Sequence, residues 1–136
     1  MAEAIMKHMA SEAGRHDEFE IASAAVSEEE LGNPIYPPAA AVLRRHGIAY
    51  DGQRTARQMK ASDYGKYDLI IAMDESNIRG IRRIVGGDPD GKIRLLLEYA
   101  GEHRNVADPW YTNDFETAYN DIFKGCRALL AALPRS

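Results

Sequence analysis

The sequence predicts an α/β fold with a doubly wound parallel sheet, and three observations lead to that reading. First, Tyr67–Met73 (YDLIIAM) holds a near-continuous apolar run, which suits a strand covered on both faces. Second, Ile93–Leu97, inside KIRLLLEY, repeats that pattern. Third, stretches with helical period separate and flank these runs. Strands that alternate with helices imply crossover connections, and therefore parallel strands. The chain has 136 residues, about the size of one domain, so residues 1–136 are read as a single unit.

Residues 2–13 (AEAIMKHMASEA) are rich in strong helix formers, with Ile5, Met6 and Met9 on one side and Gly14 as the stop. Phe19–Val26 alternates apolar with small or polar residues and reads as a strand. Residues 27–38, with three prolines and a Gly-Asn pair, read as a loop. Pro37 and Pro38 stand where a helix starts, because a first-turn N–H has no intrahelical partner to lose. That helix runs through His46 and stops at Gly47. Residues 54–60 (RTARQMK) read as a short helical turn.

After the Tyr67–Met73 strand, Asp74 or Ser76 caps a helix over Asn77–Val85, which ends at Gly86-Gly87. Ile93–Leu97 follows as the third strand. In the last helix Phe115, Ala118, Tyr119, Ile122, Phe123, Cys126, Leu129, Leu130 and Leu133 recur at steps that make one wide apolar stripe. Asn113 with Glu116 resembles a capping pair, and Pro134 ends the helix. Three strands are visible and the chain opens on a helix, whereas a doubly wound sheet usually opens on a strand.

The composition excludes several classes. A net charge of −4 argues against a general nucleic-acid binder. One cysteine forms no internal disulfide, so a reducing cytoplasm is the expected compartment. No apolar run approaches the ~20 residues that span a bilayer, so no membrane role is expected. The N-terminus has no apolar h-region, so no secretory leader is expected either.

Each motif has a plainer reading beside its functional one. Gly86 to Lys92 has the spacing G-x-x-x-x-G-K, but a Walker loop needs a strand before it and a helix after it. Here the order is reversed and Ile93 replaces the metal-holding hydroxyl, so a surface turn is the reading. His8, His16, His46 and His103 show no metal-ligand spacing, and no metal or other cofactor is expected. Cys126 lies on the apolar stripe and reads as core rather than nucleophile. Arg79, Arg82 and Arg83 form either a solvated helix face or an anion site. Asp108-Pro109-Trp110-Tyr111 lies between a strand and a helix, on the side where parallel sheets place active sites. Asp108 there is either a proton donor over a flat aromatic substrate or the start of a turn whose aromatics fold inward.

Taken in order, MAEAIMKH, Ser23-Ala24-Ala25, PPAAAVLRRHGI, TARQ, YDLIIAMDESNIR and VADPWY resemble the low-molecular-weight protein tyrosine phosphatases almost from end to end. The resemblance implies a four-stranded parallel sheet with helices on both faces. It implies phosphotyrosine hydrolysis without cofactor or metal. In that chemistry a cysteine, in a loop of Cys, five residues and Arg, attacks phosphorus while an aspartic acid protonates the leaving tyrosine oxygen. Water then hydrolyses the cysteinyl phosphate, with the aspartate as base. By position the acid is Asp108, Trp110 and Tyr111 border the substrate cleft, and Ser23 supports the phosphate loop. Arg54 stands where members often have histidine. The expected substrates are phosphotyrosine proteins or aryl phosphates.

The family's first strand and its Cys-to-Arg loop precede the residues that match Met1, and the 136 residues contain neither. Cys126 is no substitute, because the sixth residue after it is Ala132. The expectation is a family member with little or no turnover as this chain. The other reading is a non-catalytic binding protein using Trp110, Tyr111 and the acidic Glu28–Glu30. An arsenate reductase would need further redox cysteines. The first strand is central in this family. Its slot is expected to be closed by Phe19–Val26 pairing with Tyr67–Met73, or by another chain in a homo-oligomer.

Overall fold

In the computed structural model, the described residues are 1–26, 36–50, 57–107 and 114–134. The elements are α1 (Ala2–Glu12), a 3-10 turn (His16–Glu18), α2 (Pro37–Arg45), α3 (Asp63–Lys66), β1 (Ile70–Ala72), α4 (Glu75–Val85), β2 (Ile93–Leu95), a 3-10 helix (Leu96–Ala100) and α5 (Phe115–Ala132). Strands β1 and β2 pair in parallel, with Ile70 opposite Ile93 and Ala72 opposite Leu95. A parallel pair needs a crossover, and α4 supplies it.

Strand side chains alternate between faces, and the alternation divides the core in two. Ile70, Ala72, Ile93 and Leu95 pack with Ile78, Ile81 and Ile84 of α4. Leu69, Ile71 and Met73 turn the other way, toward Ile5 and Met9 of α1, Leu43 of α2, and Tyr119 and Ile122 of α5. The apolar run through β1 is therefore covered on both faces, as its composition predicts.

Local signals set most helix ends. Pro37 and Pro38 open α2. Asp74 caps α4 by accepting from the Asn77 N–H at 2.7 Å, and Gly86 closes that helix at φ +84°. The cap of α5 is Asp114, which accepts from the Thr117 N–H at 3.0 Å; Asn113, expected from spacing to pair with Glu116 there, lies outside the described residues. At the other end of α5 the buried Arg15 donates to the carbonyls of Leu130, Leu133 and Pro134 at 2.8–3.1 Å. Those carbonyls lie where helix end groups lack intrahelical partners, and the cation also suits the negative end of the helix dipole.

Three sequence expectations are corrected. Among the described residues Phe19–Val26 forms no strand and does not pair with Tyr67–Met73: Ala25 makes an isolated parallel bridge to Gln58. The reason is packing, since Val26 lies against α4, where a Cβ on Gly80 would meet it at 3.1 Å. Residues 57–60, expected as part of a helical turn, are not helical: Gln58 is that bridge partner, with Arg57 and Met59 bonded to the Ala25 backbone; residues 54–56 lie outside the described residues. The Ile93–Leu97 strand ends at Leu95, and the chain turns into the 3-10 helix so that Leu96 and Leu97 both enter the core. The sheet therefore shows two strands among the described residues rather than three.

Candidate active site

Residues 105–107, which lead into the site expected from sequence, are tied to the C-terminal end of β1 and the start of α4. The Val106 N–H donates to the carbonyl of Met73, the residue after β1, at 2.9 Å. The Glu75 N–H at the start of α4 donates to Asn105 Oδ1 at 3.0 Å. The chain is thus tied to the strand end and to a helix start just before it reaches Asp108. Asp108, Trp110 and Tyr111 lie outside the described residues, as do Arg54 and the acidic Glu28–Glu30.

What the structure does define is the frame on either side. Ahead of Asp108, Arg104 makes a two-pronged ion pair with Asp121 of α5, Nη1 to Oδ2 at 3.0 Å and Nη2 to Oδ1 at 2.9 Å. The Ala107 N–H adds a third bond to Asp121 Oδ2, at 2.9 Å. Arg104 Nε donates to Glu102 at 2.9 Å, and Lys124 pairs with the same carboxylate. The Arg104 guanidinium holds the Asp121 carboxyl below its ordinary range, outweighing burial. Lys124 and Arg104 do the same for Glu102.

After the segment, α5 begins beside α2. Glu116 accepts from Arg45 Nε and Nη2 at 3.0 and 2.8 Å and lies 3.0 Å from His46 Nε2. The His46 ring stacks on Tyr119, with centroids 3.9 Å apart. A cleft of about 240 Å³ opens between the two helices, lined by Pro38, Val42, Arg45, Asp114 and Phe115 among others. The hydrogen bond and ion pair to His46 and Arg45 lower the Glu116 pKa.

Ser23 Oγ donates to Glu3 of α1 at 2.7 Å. Cys126 is 2% exposed, and burial pushes its thiol up to about 12. The Gly86–Lys92 stretch is a turn built on Asp88, which accepts from the N–H groups of Lys92 and Ile93 and from the Tyr64 hydroxyl. Arg79, Arg82 and Arg83 line one surface depression on α4. Among the described residues no three His, Cys, Asp or Glu side chains converge as metal ligands would. No helix of the described residues is long and apolar enough to cross a membrane.

Sequence reasoning did not find the Arg104–Asp121 pair or the Arg15 cap. The partners are 17 and more than 100 residues apart, and no local spacing announces them.

A parallel α/β core with residues 105–107 tied to the end of its first strand defines a small α/β domain, and comparison identifies its family. The family model described as low molecular weight phosphotyrosine protein phosphatase matches residues 1–136. The chain is 36% identical to the low molecular weight protein-tyrosine-phosphatase YfkJ of Bacillus subtilis, covering 99% of this chain and 87% of that protein. It is 34% identical to the human low molecular weight phosphotyrosine protein phosphatase, covering 96% and 84%. The crystal structure of YfkJ superposes with a TM-score of 0.90 at 37% identity, over 96% of this chain and 83% of that one. The Streptococcus pyogenes phosphatase SP-PTP gives 0.87 at 36% identity, over 99% and 84%. This chain belongs to the low molecular weight phosphotyrosine protein phosphatase family.

Proposed function

We propose that the reaction served by this scaffold is hydrolysis of phosphotyrosine or aryl phosphate monoesters, with Asp108 as the proton donor to the leaving oxygen. Trp110 and Tyr111 border the substrate ring, and Ser23 belongs to the support of the phosphate site. Residues 1–136 act as one domain, without cofactor or metal, in a reducing cytoplasm. A family match along the whole chain carries the reading, supported by the anchoring of residues 105–107 at the end of β1.

Taken alone, these 136 residues are expected to show little or no turnover. Nucleophile, anion cradle and arginine act as a unit, and losing such a unit removes most of the rate enhancement. The one cysteine present is Cys126, and its neutral, buried thiol is the opposite of the exposed thiolate that attack requires. Among the described residues β1 pairs with β2 alone, so a second copy of the chain adding at its other edge belongs to the same reading. Light scattering reports that assembly, and a monomer counts against it.

The test is aryl phosphate hydrolysis at mildly acidic pH by the 136-residue chain and its Asp108→Asn variant. Equal, near-background rates are expected. Clear turnover that Asp108→Asn abolishes would show that a group within these residues accepts the phosphoryl group.

A further inference from the structure

Helix α5 holds both ends of the segment that carries Asp108. Its N-cap, Asp114, is where residues 108–113 rejoin described structure. Asp121, in its second turn, accepts the Ala107 N–H at 2.9 Å where those residues depart. Six residues therefore connect two points fixed to the first two turns of one helix.

We propose that Asp121 is a positioning residue for Asp108: its carboxylate fixes the backbone immediately ahead of the acid. The inference rests on the reading of Asp108 as the proton donor. Asp121 is buried and accepts three hydrogen bonds, from Arg104 Nη1, Arg104 Nη2 and Ala107 N. A buried carboxylate is expensive unless paired and hydrogen-bonded, and this one is both. The planar fork of Arg104 engages both oxygens, which sets the carboxylate's orientation as well as its charge. Arg104 is itself held by Glu102, and Glu102 by Lys124, so α5 supplies the outer end of the chain of ion pairs as well as its centre.

The bond is also separable from the rest of the fold. Val106, one residue earlier, donates to Met73 rather than to Asp121. Removing the Asp121 carboxylate therefore releases Ala107 while the tie to β1 stays. Such a small release matters because proton transfer needs the acid within hydrogen-bond reach of the leaving oxygen, and a ~1 Å misplacement can cost ~10²-fold in rate.

The chain's only tryptophan is Trp110, two residues past Asp108, which gives a readout independent of turnover. Acrylamide quenching of Trp110 is measured in the 136-residue chain and in Asp121→Ala, Asp121→Asn and Arg15→Gln, with amide hydrogen exchange at Ala107 and Val106. Arg15→Gln is the control: it weakens α5 at the opposite end, where Arg15 caps it. In Asp121→Ala, the Trp110 quenching constant should rise about twofold and Ala107 exchange at least tenfold, with Val106 protection kept. Asp121→Asn, which retains an acceptor oxygen, should fall between, and Arg15→Gln should match wild type. Unchanged quenching in Asp121→Ala overturns the proposal, as does an equal rise in Arg15→Gln. If Asp121→Ala does not fold, Asp121→Asn carries the test, and wild-type quenching in it overturns the proposal. Turnover by the 136-residue chain would overturn the functional reading above without moving any of these quantities.

Discussion

Replacing Gly125 by alanine sets two well-characterised effects against each other. Gly125 lies inside α5, where glycine costs about 0.5–1 kcal/mol relative to alanine through backbone entropy. Helix propensity alone therefore predicts that Gly125→Ala stabilises. The packing predicts the reverse. An added Cβ would stand 2.4 Å from Leu96 Cγ and 3.0 and 3.1 Å from its two Cδ atoms, against an optimum of about 3.5–4.0 Å. Leu96 is 1% exposed and has no solvent side to move into, so either the 3-10 helix or α5 must shift by about 1 Å. Overpacking of this kind costs about 1–3 kcal/mol, occasionally more, and the short approach puts Gly125 at the upper end. The net expectation is a loss of about 2–2.5 kcal/mol. For a chain of this size that lowers Tm by about 7–9 °C.

The assay is thermal melting by circular dichroism, with Gly65→Ala beside it. Gly65 lies in α3 with nothing within 4 Å of the added carbon and no positive φ, so there the propensity gain acts unopposed. Tm should rise by about 2–3 °C for a gain near 0.5–1 kcal/mol. A Gly125→Ala variant as stable as wild type would refute the reasoning, because it would mean that α5 and the Leu96 segment are not in the close contact described.

Two further predictions concern titration. With its thiol pushed up to about 12, Cys126 should resist a disulfide reagent at pH 8 in the native state and react once, fully, in denaturant; rapid native labelling would contradict its burial. By linkage, the stability gained from keeping that thiol neutral is complete below the ordinary value of 9.0 and declines as pH rises from there toward 12. The Asp121, Glu102 and Asp114 carboxyls are all depressed in the fold, chiefly by Arg104, Lys124 and Thr117 respectively. Their contribution is present above the ordinary carboxylate range of ~3.9–4.3 and is lost as pH falls through the folded values. Tm should hold down to about pH 5 and drop below about pH 4, less steeply in Asp121→Asn; a Tm independent of pH between 5 and 3 would count against these pairs.

Much of this molecule is written locally. The α5 stripe, the prolines that open α2, the Asp74 cap and the αL glycine after α4 each depend on residues within a turn or two of one another. Such signals act through short-range sterics and backbone hydrogen bonding, so the sequence determines them without knowing its neighbours. The same holds for family membership, because ordered motifs survive being read along one dimension. Of the candidate site the sequence offers Asp108 and its aromatic neighbours as one contiguous motif, which lies outside the described residues.

The tertiary structure decided what requires distant residues to meet. Phe19–Val26 has the alternation of a strand, yet a strand exists only where a neighbour completes its ladder, and among the described residues the neighbour is Gln58 at a single bridge. Ile93–Leu97 is apolar throughout, and the core on one side pulled Leu96 and Leu97 out of the strand. The Asp121–Arg104 pair and the Arg15 cap join positions that no periodicity relates. Gly125 shows the division most plainly. Sequence determines that it lies in a helix and should be better replaced by alanine. Only the fold places Leu96 where that methyl group would go, because excluded volume is a property of the packed core and not of the chain.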